Sequence, residues 1–504
     1  MPVVITHRPL FAVLVSLLAA AAILCSDRRP NLRETWSFLA AAIKCALVFS
    51  LLPDVLTHGT LEATYIELLP GLALHLRADL FGLIFALLAS SLWLVTTLYS
   101  IGYMRHGHYG HQTGYFACFA VCVSAAIGIA FSANLLTFFI FYEILTLATY
   151  PLVVHDRHDE AISGGRKYLA YTLIAGQMLL IAGIGLSLIA PGASFQPGGF
   201  LADRTSPGLL SLLFILAILG VSVKAAIMPL HSWLPAAMVA PTPVSALLHA
   251  VAVVKAGTFG CIRIIHYVFG IDVLRSIGAD MVLALFASTT ILVASIRALG
   301  EQNLKRRLAY STVSQLSYIV LGAAIGTPAA LAGAMFHMVA HGLMKITLFF
   351  CAGAIYVKTH KLEIPDLDGL GRQMPITFGA FTIGALGLAG TPLCVGFISK
   401  WNLGLGALQP GGHALFLIVL VVSGLLNFAY FFPIVYRAFF GNAEQPFTFD
   451  EAPVTVWLPL ALTAILSILL GVYPNLGASA YDLAWQAAER VLSSVASADL
   501  AGGK

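Results

Sequence analysis

In the segment HMVAHGLMK, His337, His341 and Lys345 recur at i, i+4 and i+8. On an α-helix that spacing puts all three on one face, over a rise of about 12 Å. A row of bases suits the hand-over of protons, since imidazole titrates near pH ~6.5. Two histidines at i, i+4 also suit zinc. Here, however, the glutamate of the zinc-protease motif is missing and the third member is a lysine, a poor ligand when protonated. The proton reading is preferred, and no metal site is expected.

Other ionisable groups stand in equally apolar surroundings. From His111 to His155 there is no Lys, Arg or Asp, and Glu143 is the sole acid. Lys224 precedes MPLHSWLP, where a helix must break and freed carbonyls could take its protons. His249 and Lys255 share one apolar stretch but, six residues apart, do not stack on one line. Lys400 follows a second break, in GFISKW. A charged group at the bilayer centre costs at least about 2.5–3.5 kcal/mol, so these groups are expected to face one another or a hydrated path. A buried acid and a buried base favour each other's charge while burial opposes both, so small changes around them move a proton. The bland alternative for Glu143 and Lys224 is a structural tie between helices. Lys44 and Arg263 lie nearer helix ends, where snorkelling to the interface accounts for them; His266 reads as a core or interfacial histidine.

What must position these residues is a bundle of membrane helices. Of 504 residues, 59% are hydrophobic and only 10% charged, with mean hydropathy +0.91; soluble proteins carry about a quarter charged residues. Apolar runs of about 18–25 residues follow one another, each able to cross a hydrocarbon core as a helix. Inside that core every backbone polar group must be paired, which leaves helices or a closed barrel. Alternating strands of about ten residues are not apparent. The expectation is an all-α polytopic membrane protein of about fourteen transmembrane helices, from 9–25 to 455–473, forming a single membrane domain, 1–504. The stretch 208–239 contains Pro229 and Pro235, and 375–399 contains Gly390, Pro392 and Gly396, so both are expected to be broken helices.

The N-terminus reads as a first spanning helix rather than a signal peptide, because its basic region is weak and no small-residue cleavage site follows. Seven cysteines form no CxxC, so neither disulfides nor an iron–sulfur cluster is expected, and no cofactor is predicted. Basic residues set the sidedness. Loops after odd-numbered helices hold fifteen Lys and Arg, and the other face, Lys504 included, holds six. The odd loops are therefore placed in the cytoplasm of a bacterium, with both termini outside the inner membrane. Lys44, Lys224, Lys255, Arg263, Lys345 and Lys400 remain within the helices.

The run KAAIMPLHSWLPAAMVAPTPVSALLHAVAVVKAG (224–257) closely resembles the signature of antiporter-like subunits. These are shared by respiratory complex I, membrane-bound hydrogenases and multisubunit Mrp-type cation/proton antiporters. YSIGYM (99–104), LKRRLAYSTVSQLSYI (304–319), HMVAHGLMKITLFFCAG (337–353) and DLDGLGRQMPITFGAFTIGALGLAGTP (366–392) match in family order, so the resemblance covers roughly 70–440. It implies two inverted five-helix repeats, 115–269 and 279–440, each with a broken helix and a half-channel. By motif position Glu143 and Lys224 look like the family's Glu–Lys pair, and His249 like its helix-eight protonatable group, with Lys255 beside it. His337, His341 and Lys345 match the central connecting residues, and Lys400 the terminal lysine that some members replace by glutamate. TPLCVGF departs from the usual double-proline form, which leaves the shape of the second break open. The chain also ends soon after YDLAWQAAERVL, without the long lateral helix of the largest subunit type. It looks most like the D-type antiporter subunit or the middle complex I subunit.

The resemblance implies a proton-translocating subunit of a larger membrane complex, exchanging Na+ or K+ for H+. The alternatives are the pumping arm of a quinone oxidoreductase or hydrogenase, or a subunit that energises uptake of inorganic carbon or another solute. Other membrane subunits and the lipid bilayer are the expected partners, and nucleic acid is not. A self-sufficient carrier of organic solutes is disfavoured, because no polar patch of substrate size is apparent.

Overall fold

The computed structural model describes residues 4–69, 72–442 and 448–502; Lys504, counted above with the outer face, lies outside them. The polytopic helical bundle read from hydropathy is present. Among the described residues, twelve helices are long and apolar enough to cross a membrane, and two shorter apolar helices stand before the expected breaks. In chain order these and their partners are α1 (Arg8–Cys25), α2 (Pro30–Phe49), α3 (Leu80–His106), α4 (Gln112–Ala130), α5 (Leu135–Val153), α6 (Asp159–Ile189) and α7 (Pro207–Ser222). Then come α8 (Thr242–Phe269), α9 (Ala279–Gly300), α10 (Leu304–Ile325), α11 (Pro328–Thr359), α12 (Pro375–Ala389), α13 (Val395–Leu408), α14 (Ala414–Phe440), α15 (Val454–Val472) and α16 (Ala480–Gly502).

Local chemistry starts several of these helices. Asp79 accepts from the Gly82 amide at 2.7 Å ahead of α3, and Asn134 from the Thr137 amide at 2.8 Å ahead of α5, each satisfying a donor that the first turn leaves unpaired. Pro328 occupies the first turn of α11, where its missing N–H costs nothing. The apolar cores of α8 and α11 are 100% buried, whereas those of α1, α2, α6 and α15 are only 33–39% buried. The two helices that carry five of the candidate bases are therefore the centre of the bundle, and the others wrap it.

Both breaks form. α7 stops at Ser222, turns occupy 223–232, and a short helix, Trp233–Ala236, resumes the path. Pro229 lies within the turns and has no N–H to offer Ala225, four residues earlier. Pro235 sits inside the short helix, so it resumes the path rather than breaking it. Val223's freed carbonyl accepts from the Trp233 indole at 2.7 Å. α8 presses against this break through Gly257, where a Cβ would lie 2.2 Å from the Ala225 nitrogen. The second break runs from Gly390, at φ +92°, to Cys394, with Pro392 between them.

One element was not foreseen. Strands β2 (Thr60–Leu69) and β3 (Leu72–Asp79) form an antiparallel hairpin, with β1 (Val4–Ile5) parallel at its edge. Leu61 pairs with Ala78 and Ala63 with Leu76, all buried, while Glu62 and Arg77 alternate with them. That is the period-2 pattern of a half-buried strand, and residues 72–79 join directly onto α3. Glu62 is paired with Arg77, and its Oε2 lies 3.6 Å from His75 Nε2. His75 first, and then Arg77, hold its carboxyl down to about 2 against the opposing effect of burial. A depressed folded value means that the pairing stabilises above the free-carboxylate value of 4.5 and is lost as pH falls towards 2. Hydrogen exchange of the hairpin amides should therefore show wild type better protected than Glu62→Gln above pH ~5, with the gap closing on acidification. A gap that does not change with pH would contradict the pairing.

Candidate functional site

α11 is a single unbroken helix, so the i, i+4, i+8 spacing is kept, and His337, His341 and Lys345 lie wholly buried along it. The two imidazole rings are 6.0 Å apart, centre to centre. α8 brings Lys255 to this row, with Nζ 2.8 Å from His341 Nδ1. On the other side, His337 Nδ1 meets Ser399 Oγ of α13 at 2.8 Å. The next residue, Lys400, donates to the Leu388 carbonyl at the end of α12, and its Nζ lies 4.7 Å from the centre of the Tyr318 ring. Tyr318 in turn is 5.7 Å from His337, ring to ring. Lys255, His341, His337, Tyr318 and Lys400 thus follow one another through the core.

Lys345 turns aside from that series and donates to Ser311 Oγ of α10 at 2.8 Å. His249 lies in a π-helical turn, Leu247–Val251, its ring 4.7 Å from that of Phe349. Among the described residues, neither of its ring nitrogens meets a protein partner. The wider turn changes the phase between His249 and Lys255, so α-helical spacing does not apply to that pair.

Lys224 is wholly buried. Instead of using carbonyls of its own break, it reaches α5, donating to the Tyr142 carbonyl at 2.5 Å with Nζ 3.3 Å from the centre of that ring. Glu143 follows Tyr142 on α5 but is half-buried and points to α6. Among the described residues no Glu143–Lys224 pair falls within 4.0 Å, and Oε1 has no hydrogen-bond partner. Gly176 makes the room, since a Cβ there would lie 2.2 Å from Oε1. A carboxylate and an ammonium held near but not on one another interact through a low-dielectric gap, and movement of either changes the interaction steeply.

Three expectations about charges change. Lys44 does not snorkel: it is wholly buried, bonded to Ser16 of α1, with Nζ 5.1 Å from the Trp93 ring centre. Arg263 does not snorkel either. It makes two 2.7 Å bonds to Asp79 at the root of the hairpin. In both cases a neighbouring element covers the side chain, which hydropathy along one helix does not reveal. Lys305, one of the fifteen basic residues assigned by sequence to the odd-numbered loops, is also buried and donates to the Ala240 carbonyl at 2.5 Å. It lines a cavity of about 780 Å³ with Asp156, His158, Glu160, Lys167 and Tyr103. His266 is a core histidine, its Nε2 2.9 Å from the Ala323 carbonyl.

Residues 132–426 match the sequence profile of the family described as NADH:quinone oxidoreductase/Mrp antiporter, TM. The chain is 32% identical over 461 residues to NADH-quinone oxidoreductase subunit N of Desulforudis audaxviator (strain MP104C), covering 89% of each. It is 31% identical over 465 residues to the A/B subunit of a probable K(+)/H(+) antiporter from Rhizobium meliloti (strain 1021); this takes in 89% of the chain but 45% of that relative, so the chain spans about half its length. In fold it is similar to a chain of the Mrp complex from Dietzia sp. DQ12-45-1b, with TM-score 0.86 and 22% identity over 96% of this chain and 97% of that one.

Proposed function

Taking as premise that the chain belongs to the NADH:quinone oxidoreductase/Mrp antiporter membrane family, we propose that it is a proton-translocating, antiporter-like subunit of a multisubunit membrane complex that exchanges Na+ or K+ for H+. The observation that carries this reading is the contact series from Lys255 through His341 and His337 to Lys400, at the centre of the bundle. Side chains so costly to bury are retained in membranes as proton and ion pathways. In this reading Glu143 tunes Lys224, and protons pass by His249 and Lys255 to the α11 row. They leave at Lys400, beside the break that Pro392 opens. The first half-channel is 115–269 and the second 279–440, in the inner membrane of a bacterium with both termini outside.

A half-buried acid in mid-span also supports assembly with other subunits, whose surface would complete its surroundings. Gly176→Ala is expected to displace the Glu143 carboxylate and lower transport by about tenfold to a hundredfold, as small misplacements of reacting groups do. Complex yield should be unaffected, and transport at the wild-type level would show that Glu143 is free to relocate.

One observation favours a second reading, the pumping arm of a redox complex. The match to subunit N covers 89% of both chains, whereas the match to the antiporter relative covers 45% of that protein. The two readings separate when the complex is purified in mild detergent and placed in inverted vesicles. Collapse of a preset pH gradient on adding Na+ or K+ supports antiport. Co-purified iron–sulfur subunits, with no response to cations, support the redox arm. No gradient collapse and no co-purified iron–sulfur subunits would overturn both readings.

A further inference from the structure

Lys345 and Lys400 are joined by a second route that avoids the histidines. Lys345 donates to Ser311 Oγ at 2.8 Å, and Tyr430 OH lies 2.9 Å from the same oxygen. Tyr430 OH also bonds Asn427 Oδ1, one helical turn earlier on α14. Asn427 Nδ2 donates at 3.2 Å to the Leu388 carbonyl, which also accepts from Lys400. Ser311, Asn427, Tyr430 and Lys345 are all wholly buried.

The meeting point exists because of the second break. Four residues after Leu388 stands Pro392, which has no N–H to give, and the Gly390 and Thr391 amides both turn back to Leu386. The Leu388 carbonyl is thereby left to side chains.

The order of donors decides what such a chain can carry. A neutral amide and a backbone carbonyl do not pass a proton on, so no proton travels from Lys345 to Lys400 by this route. Orientation does. When Lys345 is an ammonium, Ser311 must accept from it, which turns the Ser311 hydroxyl towards Tyr430 and the Tyr430 hydroxyl towards Asn427 Oδ1. Asn427 is then held with its NH2 group on Leu388, competing with Lys400 for that carbonyl. When Lys345 is a neutral amine it can accept from Ser311, the Tyr430 hydroxyl is released to serve Ser311, and the hold on Asn427 loosens. Each group keeps its own hydrogens throughout.

We infer that Ser311, Tyr430 and Asn427 form a hydrogen-bond switch that reports the charge of Lys345 to Lys400, with Tyr430 as its positioning residue. This rests on the proton-translocating reading above. It gives the terminal lysine a means to release its proton only when the central lysine has been loaded, which a row of bases alone does not provide.

The test uses the whole complex in inverted vesicles. Tyr430→Phe keeps the ring that packs 4.6 Å from Phe431 and removes only the hydroxyl. It should lower proton transport by about tenfold, as should Ser311→Ala. The double variant should lose no more than either single one, because both cut the same chain. Independent losses that multiply, accompanied by poorer assembly, would mean a packing role and overturn the switch. Wild-type transport in Tyr430→Phe would also overturn it, provided Lys224→Ala is inactive in the same vesicles. If Lys224→Ala transports normally as well, it is the proton-translocating reading that fails.

Discussion

Lys224→Ala is expected to abolish cation-dependent proton movement, by about 10²-fold or more, the range for loss of a positioned proton-transfer group. Lys224 is wholly buried, with one carbonyl and one aromatic face as its contacts. Burying the ammonium costs at least about 2.5–3.5 kcal/mol. A charge-assisted hydrogen bond returns about 1.5–3 kcal/mol, and a desolvated cation–π contact about 2 kcal/mol. The terms nearly cancel, so the buried ammonium is held at little net cost and movement of the nearby acid can tip that balance. That is the property a gate requires, and a lysine paired directly with a carboxylate would lack it.

Lys224→Arg sharpens the test. Arginine keeps the positive charge and does not release its proton in proteins. If Lys224 exchanges protons, the arginine variant should be as inactive as the alanine one; if it supplies only a fixed charge, the arginine variant should work. Gradient collapse in vesicles, normalised to the amount of assembled complex, reads both. Glu143→Gln should reduce transport without disturbing assembly, since Oε1 holds nothing in place.

Much of this architecture was legible in the sequence because hydropathy and proline act locally. Apolar runs specify the spans, Pro229 and Pro392 specify the breaks, and the spacing within HMVAHGLMK specifies a row of bases on one helix. What joins one element to another was not legible. Lys255 meets His341 across 86 positions of chain, and no periodicity within α8 announces that. Tyr430 and Asn427 are hidden in NFAYFFP, where an i, i+3 polar pair among aromatics reads as ordinary membrane helix. Gly176 reads as one more glycine until the Glu143 carboxylate is found in the space it leaves. The hairpin has clear alternation at 61–63 and 76–78, but it adjoins long apolar runs that draw attention to helices. Lys44 and Arg263 show the same limit: distance from a helix end says whether a charge can reach the interface, not whether another element lies over it.

Arg263→Ala separates those two views most sharply. A snorkelling arginine at a helix end contributes within about 0.5 kcal/mol, as surface residues do. Here the guanidinium side chain is only 1% exposed, and both of its bonds go to a carboxylate that also caps the first turn of α3. Four rings enclose it, those of Phe81, Phe195, Phe259 and Tyr267, with the guanidinium carbon 4.4–5.4 Å from their centres. Removing one partner of a buried pair costs about 3–5 kcal/mol because the other charge is left without compensation. Asp79 is 15% exposed, so water relieves part of that cost and about 3 kcal/mol is expected. The outer hairpin, the start of α3 and the end of α8 should loosen together, seen as a lower apparent melting point of the complex at fixed scan rate and as faster exchange at the root of the hairpin. Asp79→Asn should cost at least as much, because it strands the more deeply buried guanidinium and sets an amide NH2 against one of its N–H groups, although the amide oxygen can still cap α3. If the pair is the source of the stability, adding Asp79→Asn to Arg263→Ala should recover part of the loss, since the stranded carboxylate is gone. Losses that simply add would instead assign the effect to the packing of Arg263 among its four rings.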